Sequence, residues 1–141
     1  MMCAATAGQR GRRVLIVEHY PIVGEKIRIS GGGRCNFTNL GAGPANYLSE
    51  NPDFCRSALA RYTPRDFVAL VERHGIRWHE KKLGQLFCDE TALDIIAMLR
   101  DECDRGRVEW RHPCAVDGVT REGDRFVVAT PLGAVRAGSL R

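Results

Sequence analysis

Arg13-Val14-Leu15-Ile16-Val17-Glu18 constrains this chain more than any other stretch. An apolar, β-branched run without polar alternation predicts a strand covered on both faces, as in a parallel sheet. A chain built around such a strand falls in the α/β class. The acid at the strand exit adds a chemical constraint. In nucleotide-binding α/β folds that position carries the carboxylate that accepts from ribose hydroxyls, so Glu18 is a candidate ligand. An ordinary charged residue at a strand exit is the competing reading.

The second feature is Ser30-Gly31-Gly32-Gly33-Arg34-Cys35-Asn36-Phe37-Thr38-Asn39. Consecutive glycines admit φ > 0 and let the backbone come close to a bound group without Cβ interference. The arginine, thiol, amides and hydroxyls around them suit a polyanion such as a pyrophosphate. A flexible linker is the alternative, although linkers tend toward Gly and Ser without such specific chemistry.

The remaining elements follow from local signals. Residues 1–9 read as the closing turns of a helix, with Gly8 or Gly11 as its stop. A short helix fits Phe54 to Tyr62. A better-signalled one starts with Thr63 as N-cap, Pro64 and Asp66, and carries Phe67, Leu70, Val71 and His74 on one face. His74 on that face reads as a packing residue rather than a ligand. Ile76 to Glu80 alternates like a strand, and Gln85 to Cys88 is its return. The longest helix spans about 90–104, with Ala92, Ile95, Ile96, Leu99 and Cys103 as its apolar stripe. Arg107 to Arg111 is a further strand. The tail is a meander over 115–137, turned at Glu122-Gly123-Asp124 and Pro131-Leu132-Gly133.

Composition narrows the function classes. The net charge is +4, from 21 Lys+Arg against 17 Asp+Glu, and no K/R-rich run occurs. That suits an anionic small ligand and argues against nucleic acid as a partner. The cysteines at 3, 35, 55, 88, 103 and 114 show no C-x-x-C and no zinc-ligand spacing, so no metal site is expected. Free thiols, no secretory segment and no long apolar run predict a cytoplasmic protein without a membrane partner.

Gly11 to Glu18 followed by Gly24 to Asn39, with the core Lys26-x-x-x-Ser30-Gly31-Gly32-Gly33-Arg34-Cys35-Asn36, resembles the BaiN-type or aminoacetone oxidase-type FAD-binding oxidoreductases. Gly84-Gln85-Leu86-Phe87 resembles the family's Gly-Arg-x-Phe-Pro segment, with Cys88 where many members have proline. The resemblance covers essentially the whole chain. It implies a partial Rossmann-like FAD/NAD(P)-binding domain over 1–141. Residues 1–39 would hold the second strand and glycine-rich flavin loop, 40–90 a helical insertion, and 91–141 the long helix, strand and meander. It also implies that Glu18 bonds the adenosine ribose. Lys26, Ser30, Gly31, Gly32, Gly33, Arg34, Cys35 and Asn36 would line the pyrophosphate and flavin, and Val116 would hold adenine through its backbone. FAD is the implied cofactor, with NAD(P)H as a possible electron donor, in hydride transfer between an organic substrate and an acceptor.

Members of that family open with a strand and a G-x-G-x-x-G turn, which this sequence lacks. The expectation is therefore a fragment with impaired FAD binding. Two other readings stay open: a non-catalytic remnant that binds a nucleotide or a partner, and a thiol redox protein using Cys35 with a pKa depressed by Arg34. No residue stands out as an acid/base catalyst, and the substrate and oligomeric state are undetermined.

Overall fold

The computed structural model describes all of residues 1–141. Its α/β composition matches the class expected: a parallel strand pair, helices and antiparallel strands. The chain divides into two compact units, one formed by residues 1–23 with 99–141 and the other by 24–98, and the second of the two chain boundaries falls within helix α5 (Ala92–Arg105).

The discontinuous unit is built on α1 (Met2–Gln9) and the parallel pair β1 (Leu15–Val17) and β5 (Glu109–Arg111). Leu15, Ile16 and Val17 stand opposite Glu109, Trp110 and Arg111. Ala4, Ala5, Cys103 and Val108 form its buried cluster, with Val14, Ile16 and Trp110 packed against it. Small residues on α1 bring the helix close enough that a Cβ on Gly8 would stand 2.3 Å from the Gly106 carbonyl oxygen. One expectation fails here. β1 is half-buried along its length rather than covered on both faces, because the buried cluster packs against Ile16 while Leu15 and Val17, on the opposite face, are not part of it. The tail forms the antiparallel sheet β6 (Gly118–Glu122), β7 (Arg125–Ala129) and β8 (Val135–Ala137), as the turn triplets predict.

The continuous unit holds α2 (Glu25–Arg28), β2 (Asn36–Asn39), α3 (Arg56–Arg61), α4 (Pro64–Arg73), β3 (Trp78–Glu80) and β4 (Gln85–Cys88). β4 lies between β2 and β3, antiparallel to both. The predicted α4 signals hold at atomic level. Thr63 Oγ1 accepts from the Asp66 N–H at 3.3 Å, and Asp66 Oδ2 accepts from the Thr63 N–H at 2.7 Å and from its hydroxyl at 2.6 Å. These contacts satisfy orphan donors at the helix start. Leu70 and Val71 on the predicted face are buried, while Phe67 and His74 are half-buried. The predicted α5 stripe is buried at every position, with Met98 added to it.

Local signals miss both the short α2 and the strand β2. Asn-Phe-Thr-Asn sits inside a stretch read as loop, and it becomes a strand by pairing with β4 across a bulge between Asn36 and Thr38.

Candidate functional site

The glycine run occupies the continuous unit. α2 begins after Gly24 (φ 81°), where a Cβ would meet the Ile96 side chain at 2.9 Å. Ser30 Oγ donates to the Ile27 carbonyl at 2.7 Å and ends that short helix. Gly31, Gly32 and Gly33 then follow in succession with φ of 58°, 67° and 85°. L-residues avoid this left-handed region, so the turn needs glycine. The Cys35 N–H closes it on the Ser30 carbonyl at 3.1 Å.

Gly31 differs from its two neighbours. A Cβ there would stand 2.7 Å from the Asn36 nitrogen and 2.8 Å from the Phe87 ring, whereas Gly32 and Gly33 have nothing within 4 Å. One glycine is therefore required by packing, and the next two bare their backbone to open space. Turn backbone of this kind makes anion-binding concavities. Lys26 and Arg34 are both exposed on this segment.

Cys35 corrects an expectation. It is buried, and burial pushes its thiol up, outweighing the opposing hydrogen bond with Ser30. Cys88, whose N–H donates to the Arg34 carbonyl at 2.9 Å, is pushed up to about 12, first by burial and then by the charges of Cys35, Asp94 and Asp89. Thiolates are the reactive form, so these two thiols pack rather than react. The expected activation of Cys35 by Arg34 does not occur. Asn36 is likewise occupied: with its amide nitrogen facing β4, it donates to the Thr38 and Leu86 carbonyls at 3.1 and 3.2 Å.

Glu18 and Val116 belong to the discontinuous unit. Glu18 stands just past β1, its N–H on the Arg111 carbonyl at 3.0 Å and its own carbonyl accepting from Cys114 at 2.8 Å. Its carboxylate accepts from the Tyr20 N–H at 3.0 Å and lies 3.2 Å from His19 Nδ1. Val116 is exposed and precedes Asp117, whose N–H is used by the Ala129 carbonyl.

Two groups here escaped the sequence reading. Arg111 Nη1 and His112 Nδ1 are buried without a hydrogen-bond partner. Both lie at or beyond the carboxyl end of β5, the parallel neighbour of β1. Ligands in open α/β sheets bind outside the carboxyl ends of strands, and that rule was the available signal. An orphaned donor there, beside Glu18 on the neighbouring strand, suits a nucleotide oxygen.

In the loop's own unit, His79 Nδ1 lies 2.8 Å from Asp89 Oδ1, and its ring stacks on Phe87 with centroids 6.3 Å apart and planes at 19°. Phe87 is the ring that packs on Gly31. This is the arrangement of an oriented acid/base, which the sequence did not reveal.

The family model described as HI0933-like protein Rossmann domain matches residues 1–140. Two curated relatives carry the name ribosomal RNA dihydrouridine synthase. The Escherichia coli protein is 55% identical over 128 residues, covering 91% of this chain and 32% of its own length. The Haemophilus influenzae protein is 54% identical over 105 residues, covering 74% of this chain and 26% of its own. A 3-dehydro-bile acid delta(4,6)-reductase from Clostridium scindens is 25% identical over 126 residues, covering 89% and 31%. The chain thus spans between about a quarter and a third of the length of these relatives. Among solved structures, one from work on BexE and oxidation during BE-7585A biosynthesis has a TM-score of 0.56 at 17% identity, covering 97% of this chain and 27% of that one. That likeness concerns the fold alone.

Proposed function

Because this chain belongs to the HI0933-like Rossmann-domain family, we propose that it supplies the dinucleotide grip of a flavin-dependent oxidoreductase, with FAD as cofactor and NAD(P)H as electron donor. One observation carries the reading: three successive left-handed glycines, of which Gly32 and Gly33 present bare backbone to open space. In this reading the N–H groups of that turn, with Lys26 and Arg34, receive the pyrophosphate. Ser30, Gly31, Cys35 and Asn36 hold the turn in shape. Glu18, supported by Arg111, takes the ribose, and the Val116 backbone takes adenine. FAD, when bound, supplies hydride chemistry that no side chain can perform.

The substrate class we propose is uridine in RNA, after the two relatives that are about 55% identical. Dihydrouridine carries two more hydrogens than uridine across one carbon–carbon double bond, so the reaction delivers a hydride and a proton. His79, oriented by Asp89, is suited to handle the proton. The charge pattern of the sequence argued against nucleic acid, and the relatives' names outweigh it. Kinship with BaiN-type reductases is proposed at the level of cofactor and fold, in keeping with 25% identity to the bile acid reductase.

The test is a titration of FAD with the purified chain, followed by quenching of flavin fluorescence. Affinity is expected to be weak, since the sequence contains no G-x-G-x-x-G turn. Arg34→Gln removes an exposed cation of this segment and leaves the glycines in place, and is expected to weaken binding by about tenfold, or about 1.4 kcal/mol. Non-saturable quenching, or identical curves for the two proteins, would refute the reading.

A further inference from the structure

A recess of about 210 Å³ opens beside β2 and the start of α4, and none of the dinucleotide-loop residues Lys26 or Ser30 to Asn36 lines it. Its walls are aromatic. Phe37 and Phe67 are half-buried, with ring centroids 6.0 Å apart and planes tilted by 52°. Trp78 braces Phe37 edge-on at 6.5 Å. Tyr47 and Tyr62 stand at the rim, 49% and 43% exposed. The two phenylalanines pack on one another, and both tyrosines keep part of their surface in water.

Size and charge narrow the occupant. The volume is below the roughly 300–1,000 Å³ of sites that enclose drug-sized ligands, so it suits one heterocycle. Arg61, next to Tyr62, and Arg65, in the first turn of α4, are exposed and have no carboxylate partner. The two acids nearest Arg61 in sequence are already used, Asp66 by Thr63 and Asp53 by Arg56. Exposed aromatic faces with unpaired cations beside them are the means by which proteins hold single-stranded RNA.

We propose that this recess stacks an unpaired base of single-stranded RNA between Tyr47 and Tyr62 over the Phe37–Phe67 floor, with Arg61 and Arg65 meeting the flanking phosphates. The inference rests on the reading of RNA uridine as substrate class, and it assigns part of the RNA contact to this chain.

The experiment is fluorescence anisotropy of a short labelled oligouridine titrated with the full chain at several salt concentrations. Tyr47→Ala is expected to weaken binding by about tenfold, within the range for losing one stacked base, while Tyr47→Phe keeps it. Replacing Arg61 and Arg65 together by Gln is expected to reduce the slope of log K against log[salt] by about 1.4, or about 0.7 per lost phosphate contact. Oligouridine carrying 4-thiouridine, photocrosslinked to unmutated protein, is expected to attach at Tyr47 or Tyr62, a readout that no folding defect can mimic. Equal binding by Tyr47→Ala and Tyr47→Phe, equal affinity for duplex RNA, or crosslinks mapped elsewhere would each overturn the proposal. FAD titrations on the same samples separate the two readings. Loss of FAD binding with stacking intact removes the flavin assignment alone, and the converse removes the recess alone.

Discussion

The chain holds two antiparallel sheets of three strands each, and they bury very different shares of themselves. In β2–β4–β3 the central strand sends Leu86, Phe87 and Cys88 into the core. In β6–β7–β8 every residue of β6 is exposed, and the central strand sends in Val128 alone. The ladders are alike; the covering is not. Phe67 of α4 meets Phe37 of β2, whereas Val119 of β6 stays half in water. Hydrogen-bonded pairing sets the architecture of a sheet, and its apolar covering sets how much stability a side chain can contribute. The glycine turn runs directly into β2 of the covered sheet, so the candidate cofactor loop stands on the less forgiving of the two.

The largest effect that would sharpen this contrast is Leu86→Ala. Leu86 is fully buried, and its truncation is expected to cost about 2–5 kcal/mol by urea unfolding. A loss below about 1 kcal/mol would mean that the sheet is not covered as described. Gly31→Ala comes next, at about 2–4 kcal/mol, since the new methyl meets both the Asn36 backbone and the Phe87 ring at φ 58°. Gly123→Ala, in a positive-φ turn of the meander with nothing within 4 Å, is the control and should lose only the backbone part, about 1 kcal/mol.

Thr63→Ala removes the α4 cap and is expected to cost about 1 kcal/mol in the same assay. At the small end, Val119→Thr on β6 should stay within about 0.5 kcal/mol. A large loss there would break the comparison. A pH series probes the covered sheet in another way. The folded state keeps the Cys88 proton that the unfolded chain gives up near pH 9, so stability falls as pH climbs from about 9 toward 12. Cys88→Ala should flatten that decline, and an unchanged slope would place its origin elsewhere.

Local signals made much of this legible. The Thr63–Asp66 cap, the α5 stripe and the meander turns depend on residues close in sequence, and each appears where its chemistry predicts. What was hidden depends on distant partners. Asn-Phe-Thr-Asn becomes a strand because residues 85–87 offer a ladder about fifty positions away. Cys35 looks activated beside Arg34, yet its surroundings bury it. Arg111 and His112 look like an ordinary strand end until their buried nitrogens prove to be unpartnered. Phe37, Tyr47, Tyr62 and Phe67 are too scattered in sequence to read as a stacking surface, and the fold gathers them around one recess.

The contact between Gly8 and Gly106 has a consequence for α1. Its residues are small on nearly every side, so apolar patterning alone says little about which face should turn inward. The missing methyl at position 8 supplies that information. Rotating the helix by one residue would press Ala7 or Gln9 against the Gly106 carbonyl, where the structure has no room for a Cβ. Gln9 fixes the same setting from the other side, donating to the Glu102 carbonyl and carboxylate at 2.9 and 2.8 Å. The rotational phase of α1 is thus encoded by an absent atom and one amide, and a methyl added at residue 8 would erase half of the code.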